Sequence, residues 1–255
     1  MKYLTGVTSD RDEPLLIEHG VGLLIQPGNS YHRRVDRYPF FAVDNGCFQP
    51  ETYIGDDRLL DYIDRLPREG CLFVVIPDVA RMPDGSLGGD PVATWAKFCE
   101  LAPLVREMGF PVALAAQNGI EDMPNLAEQI EACDCLFLGG STEWKVGPAA
   151  ERVAKLARAA GKWVHMGRCN SFDRMERARQ MGCNSADGTF IKYRRRKRAG
   201  EHDDVRDSRG AAEVGKWLVR LDQNPMLWDF ETPSLPVHKS AAQHAARDLS
   251  DGWPE

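Results

Sequence analysis

The chain has 255 residues, 43% of them hydrophobic, with a net charge of −6 and seven cysteines. That length and apolar content support one substantial core, and the acidic balance excludes a surface that is basic throughout. No apolar run approaches the roughly 20 residues that span a bilayer, and the opening "MKYLTGVTSDRDEP" has no signal-peptide core, so a cytoplasmic location with reduced thiols is expected and no membrane association.

Short apolar, β-branched or aromatic runs recur along the chain at 3–7, 21–26, 40–44, 71–78, 111–117, 135–140, 162–167 and 184–191. Each has the length of a buried strand. The connections after the first two runs are short or irregular, and no helix is predicted there. Asp90-Pro91 supplies an N-cap and a first-turn proline ahead of Trp95, Phe98, Cys99 and Ala102, whose spacing predicts one face packed on a sheet. Further helices are predicted at 147–161, 171–182 and 211–221, the first two stopping at a glycine. The alternation predicts a (β/α)8 TIM-type barrel over residues 1–223, with a doubly wound open sheet as the alternative. In 224–255 the residues Pro225, Pro233, Pro236 and Pro254 interrupt any long helix. This reads as a C-terminal extension that packs Trp228 and Phe230 on the barrel and frays beyond. Cys133 and Cys135 lack two further ligands nearby, so no metal site is expected.

The polar residues that end the strand runs are Asp44, Asp78, Gln117, the pair Gly139 and Gly140, and Asp187. Each has an ordinary explanation as a turn residue. Their recurrence at the same end of successive strands points instead to one pocket, because the C-terminal mouth of such a barrel gathers the loops that follow its strands. Three acids there suit metal-assisted hydrolysis or carboxylate attack at a sugar anomeric carbon. "KYRRRKR", with Lys192, Arg194, Arg195, Arg196, Lys197 and Arg198, concentrates positive charge in an acidic chain. It reads either as a solvated loop or as a phosphate-binding segment.

"VDNGCFQP" resembles the "DSGGFQ" signature of tRNA-guanine transglycosylases. The succession "PD", "AAQNG", "LGGSTE", "HMG" and "NSADG" resembles the later strand-end motifs of that superfamily, from about residue 3 to residue 195. The likeness is greatest to the compact DpdA-like branch, which inserts 7-deazaguanine bases into DNA and occurs in phages. The resemblance implies a pentosyltransferase without cofactor, related in chemistry to queuosine insertion. Asp187 matches the nucleophile and Asp44 the general acid and base. Asp78 and Gln117 match the residues that bind the purine edge, and Gly139 and Gly140 the glycines against the base. Its partners would be a flipped or single-stranded guanine nucleotide of DNA and a free 7-deazaguanine base, with a helper protein conceivable and tRNA the lesser substrate. If phage-encoded, the protein would work in the host cytoplasm.

The sequence departs from the family at several points. After Asp187 it has no cysteine, so the zinc-binding region of the tRNA-modifying members is missing, which favours DNA. Cys47 stands in place of the second glycine of the signature, and Glu143 and Trp144 stand where the family reads the substituent at position 7. The basic run follows Asp187 closely and would lie at the pocket rim, while Lys145 and Arg168 read either as backbone-facing cations or as ordinary surface charge. The alternatives are a tRNA transglycosylase of the same chemistry, a non-catalytic nucleic-acid-binding subunit, and a metal-dependent barrel hydrolase.

Overall fold

The computed structural model describes residues 1–6, 8–49, 51, 53–82, 84–191 and 209–223. Its strands are β1 (Lys2–Thr5), β2 (Gly22–Ile25), β3 (Phe41–Val43), β4 (Cys71–Val75), β5 (Val112–Ala116), β6 (Cys135–Leu138), β7 (Trp163–Met166) and β8 (Ser185–Gly188). They pair in parallel and in sequence order, and β8 closes on β1 from Lys2↔Ser185 to Thr5↔Gly188. The sheet is therefore a closed (β/α)8-type barrel, and the open-sheet alternative fails at that closing ladder. Each strand is shorter than the apolar run that predicts it. Among the described residues, Asp44, Asp78, Gln117, Gly139 and Gly140 follow the ladder at the barrel mouth, while Asp187 lies within β8.

Around the barrel lie α1 (Glu13–Glu18), a 3-10 segment (Ser30–Arg37), α2 (Asp56–Asp64), α3 (Pro91–Glu107), α4 (Leu126–Ala132), α5 (Thr142–Lys145), α6 (Pro148–Ala159), α7 (Phe172–Gln180) and a closing helix, α8 (Arg209–Gln223). The connections left without a predicted helix thus carry α1 and the 3-10 segment. Asp90 caps α3 as expected, its Oδ1 accepting from the N–H groups of Val92 at 2.9 Å and Ala93 at 3.0 Å. The buried face of α3 differs from the expected one. Thr94, Phe98, Leu101, Ala102 and Val105 are buried, Trp95 is half-buried against Phe98, and Cys99 is exposed. The inward stripe follows the i, i+4, i+7, i+8 positions from Thr94, which leaves Cys99 just off it.

Strand parity divides the core into two layers. Leu4, Ala42, Phe73, Ala115, Phe137 and Trp163 fill the barrel interior. Their neighbours of opposite parity, such as Val43, Val74, Leu138, Met166 and Ala186, pack under the helices. Two residues beyond Ala42 stands Asp44, beyond Ala115 Gln117, and beyond Phe137 Gly139. On β8, Ser185 and Asp187 share the parity opposite to Ala186. The alternation that builds the core therefore aims these residues at the barrel axis. The cysteines are all free, and burial pushes the Cys133 thiol up to about 12. Among the described residues no helix is long and apolar enough to cross a membrane. The basic run 192–198 and the extension 224–255 lie outside the described residues.

Candidate active site at the barrel mouth

Asp44 leaves β3 with its N–H still donating to the Ile25 carbonyl at 2.7 Å, and its Oδ1 accepts from the N–H of Gly46 at 3.2 Å. The turn-forming role is real and coexists with a half-buried position at the mouth. Asn45 is buried and donates its amide to the Ile76 carbonyl at 3.0 Å and to Asp78 Oδ1 at 2.8 Å. Gln117 donates Nε2 to Asp78 Oδ2 at 2.5 Å. Both oxygens of Asp78 are thus held by neutral amides. Gln117 Oε1 is buried with no hydrogen-bond partner among the described residues and packs beside Gly89.

Burial raises the Asp44 carboxyl to about 6, against the Gly46 hydrogen bond and with the nearby charges of Asp187 and Asp78 adding to the rise. Asp78 is likewise raised to about 6, mainly by burial, against the Asn45 and Gln117 donors and the field of Arg168. Carboxyls that change charge near neutrality in a cleft are what proton transfer requires.

Across the mouth, Asp187 is 7% exposed. Its Oδ1 lies 3.0 Å from His165 Nε2 and 3.3 Å from the N–H of Arg168. His165 is fully buried, stacked on Phe137 at 4.7 Å and edge-on to Phe73 at 5.1 Å. Its Nδ1 lies 2.8 Å from Ser185 Oγ. A serine, a histidine and an aspartate in contact suggest acyl transfer, but the arrangement is inverted. In a serine hydrolase the serine faces Nε2 and the acid Nδ1. Here Ser185 lies beneath the ring, fully buried under the Trp163 indole, where no substrate reaches it.

Arg168 has φ of 60°, the left-handed backbone uncommon for a residue with a side chain. Its Nη2 donates to the carbonyls of Gly139, at 2.6 Å, and Gly140, and its guanidinium lies 4.9 Å from the Phe48 ring centre. The two glycines differ. A Cβ on Gly140 would meet Asn118 and, at 2.7 Å, the Trp144 ring, whereas one on Gly139 would lie 3.5 Å from Gln117 Nε2. Gly140 is required by the protein's own packing. Gly139 borders Gln117, as Gly89 also does, where a Cβ would lie 2.5 Å from Gln117 Oε1.

The structure thus gathers Asp44, Asp78, Gln117, Gly139 and Asp187 at one mouth, with Gly140 behind it. Lys145 is neither backbone-facing on the rim nor surface charge: it is fully buried, its Nζ 2.5 Å from the Gly167 carbonyl. Burial, with Arg168 nearby, lowers its ammonium to about 8. Trp144 is held by Glu121 through its indole N–H at 3.0 Å, and Glu143 is exposed. Sequence reasoning misses His165 and Asn45. A histidine inside an apolar strand reads as core, and Asn45 reads as a turn residue. The inward parity of His165, two positions from Trp163, is the signal that could have found it.

No protein-family model and no curated protein matches the chain. Among solved structures, the YdjI aldolase from Escherichia coli K12 is 12% identical with a TM-score of 0.52, covering 91% of both chains. A native KDPGal structure is 15% identical with a TM-score of 0.48, covering 87% of this chain and 93% of that one. The first likeness agrees with the barrel fold and assigns no chemistry, since one barrel hosts many reactions.

Proposed function

We propose that this chain is a DNA-guanine transglycosylase, a pentosyltransferase that exchanges guanine in DNA for a 7-deazaguanine base such as 7-cyano-7-deazaguanine. One observation carries the reading. A single barrel mouth holds Asp44, raised to about 6, opposite Asp187, whose Oδ1 accepts from the N–H of Arg168 and lies 3.0 Å from His165 Nε2. Between them the Asp78–Gln117 pair offers acceptors to a base edge.

In the first step Asp187 bonds to the anomeric carbon as the bond to guanine breaks. The electron pair leaves with the base, which takes the proton of Asp44. In the second, the incoming base loses its ring proton to Asp44 and displaces the carboxylate, so two inversions give retention. Asp78 accepts from the ring N–H and exocyclic amine of guanine. Adenine would oppose it with an acceptor nitrogen, at a cost of roughly 1–3 kcal/mol. The arginines of 192–198 follow Asp187 by a few residues and supply charge for the flanking phosphates of a flipped nucleotide.

The test is incorporation of labelled guanine or 7-cyano-7-deazaguanine into DNA and, in parallel, into tRNA. The expected result is label in DNA with wild type and a loss of at least about a thousandfold with Asp187→Asn. Label in tRNA alone would move the substrate to tRNA. Label in neither, with no covalent adduct, would leave a non-catalytic subunit.

A further inference from the structure

We propose that His165 is a positioning residue that presents Asp187 with Oδ1 occupied and Oδ2 free, making Oδ2 the atom that attacks. The argument starts from the one donor whose direction is fixed. The Trp163 indole N–H can only donate, and it lies 2.8 Å from Ser185 Oγ. That leaves the Ser185 hydroxyl its own proton to give to His165 Nδ1 at 2.8 Å, the arrangement that also sets a ring N–H, and not a lone pair, against the carboxylate oxygen of Asp187. An imidazole that accepts at Nδ1 carries its proton on Nε2, and Nε2 lies 3.0 Å from Asp187 Oδ1.

The chain from indole to carboxylate therefore runs in one direction. A half-turn of the ring would keep its contacts with Phe137 and Phe73 at 4.7 and 5.1 Å but set ring carbons against Ser185 Oγ and Asp187 Oδ1, so the two polar contacts fix which nitrogen faces the carboxylate. The N–H of Arg168, in its left-handed backbone, is the second donor to the same oxygen at 3.3 Å. Oδ2 receives no hydrogen bond from the described residues.

The consequence for the reaction rests on the transglycosylase reading. When Oδ2 bonds to the anomeric carbon and guanine departs with the electron pair, Oδ1 becomes the ester carbonyl oxygen and keeps both donors. When the incoming base attacks, the carbon–Oδ2 bond breaks and its pair returns to Asp187. The donors stabilise the free carboxylate more than the ester, so they restrain adduct formation and assist adduct breakdown. Removing the His165 donor should shift the balance toward the covalent species. A residue that merely supports the fold would slow both steps without enriching the adduct.

Two measurements test this. Ring ¹⁵N NMR of the wild-type chain at pH 8, with the His165 signal assigned by its loss in His165→Gln, should show Nε2 protonated and Nδ1 bare. In turnover at pH 8 quenched with denaturant, His165→Phe should raise the fraction of enzyme bonded to DNA roughly tenfold relative to wild type while kcat falls. His165→Gln, whose amide can donate to Oδ1, should return that fraction toward wild type. An Nδ1-protonated or doubly protonated ring, or an adduct fraction in His165→Phe no higher than in wild type, would overturn the inference. If wild type forms no adduct with DNA or tRNA, the transglycosylase reading falls instead, and the NMR result alone decides whether the chain fixes Asp187.

Discussion

The two sides of the barrel mouth hold aspartates in opposite company. On the β3–β5 side, Asp44 and Asp78 are half-buried and desolvation raises both to about 6, with the charges of Asp187 and Asp78 adding to the rise at Asp44 and the Asn45 and Gln117 amides and Arg168 opposing it at Asp78. On the β7–β8 side, Asp187 accepts from His165 and Arg168, with Lys145 buried nearby. Desolvation makes a carboxyl that can carry a proton near neutral pH, and partners aimed at one oxygen orient the other. The same residue type thus acquires two functions from its neighbours, which is how one site runs acid and nucleophile chemistry together.

Under the proposed reaction this contrast is sharpest at Asp44. Asp44→Asn removes the proton donor and should lower kcat by roughly 10²- to 10⁴-fold. The wild-type profile of kcat/KM should peak near pH 6, falling on the alkaline side as Asp44 ionises and on the acid side as Asp78 is protonated. Activity remaining in Asp44→Asn should lack the alkaline fall. Asp78→Asn should cost about 10- to 100-fold in kcat/KM for guanine and narrow the preference over adenine, measured by competition between the two bases.

The glycine pair separates site from scaffold on a smaller scale. Gly140→Ala should cost on the order of 1–3 kcal/mol of stability, since its Cβ would meet Asn118 and Trp144. Gly139→Ala should melt close to wild type yet bind the base more weakly, because its methyl enters the space beside Gln117. Equal melting temperatures for the two variants would break the distinction.

The smallest expected effect is on stability against pH. Asp44 in the folded chain holds its proton up to about 6, against an ordinary carboxyl value of 3.8. Below the unfolded value both states are protonated and the group costs nothing. The cost grows as pH rises from 3.8 to about 6 and is complete above that. Asp44→Asn should therefore stabilise the protein at pH 8 by on the order of 1–3 kcal/mol and have no such benefit below pH 4, as measured by urea unfolding.

Much of this molecule is legible locally. Apolar runs bounded by turn residues mark the eight strands and set Asp44, Gln117, Gly139 and Asp187 at the same end of their runs; which strand face turns inward is read from the barrel. Where the face of α3 is misjudged, the error is one position along a helix whose Trp95 and Cys99 look as apolar as their neighbours. The ends of the strands, and so the polar residues of the mouth, are determined by the sequence itself, because burial periodicity and turn chemistry act over a few residues. Only the tertiary structure decides what those residues meet. His165 reaches Asp187 because β7 and β8 pair with His165 level with Ser185. Arg168 finds the carbonyls of Gly139 and Gly140 across the loops, and Asp78 is held by Asn45 and Gln117 from two other strand ends. These contacts depend on strand register and on the closure of the barrel, and the raised carboxyls depend on everything that excludes water around them. Neither register nor desolvation is a property of any short stretch of chain, so the roles of the aspartates emerge only when the barrel closes.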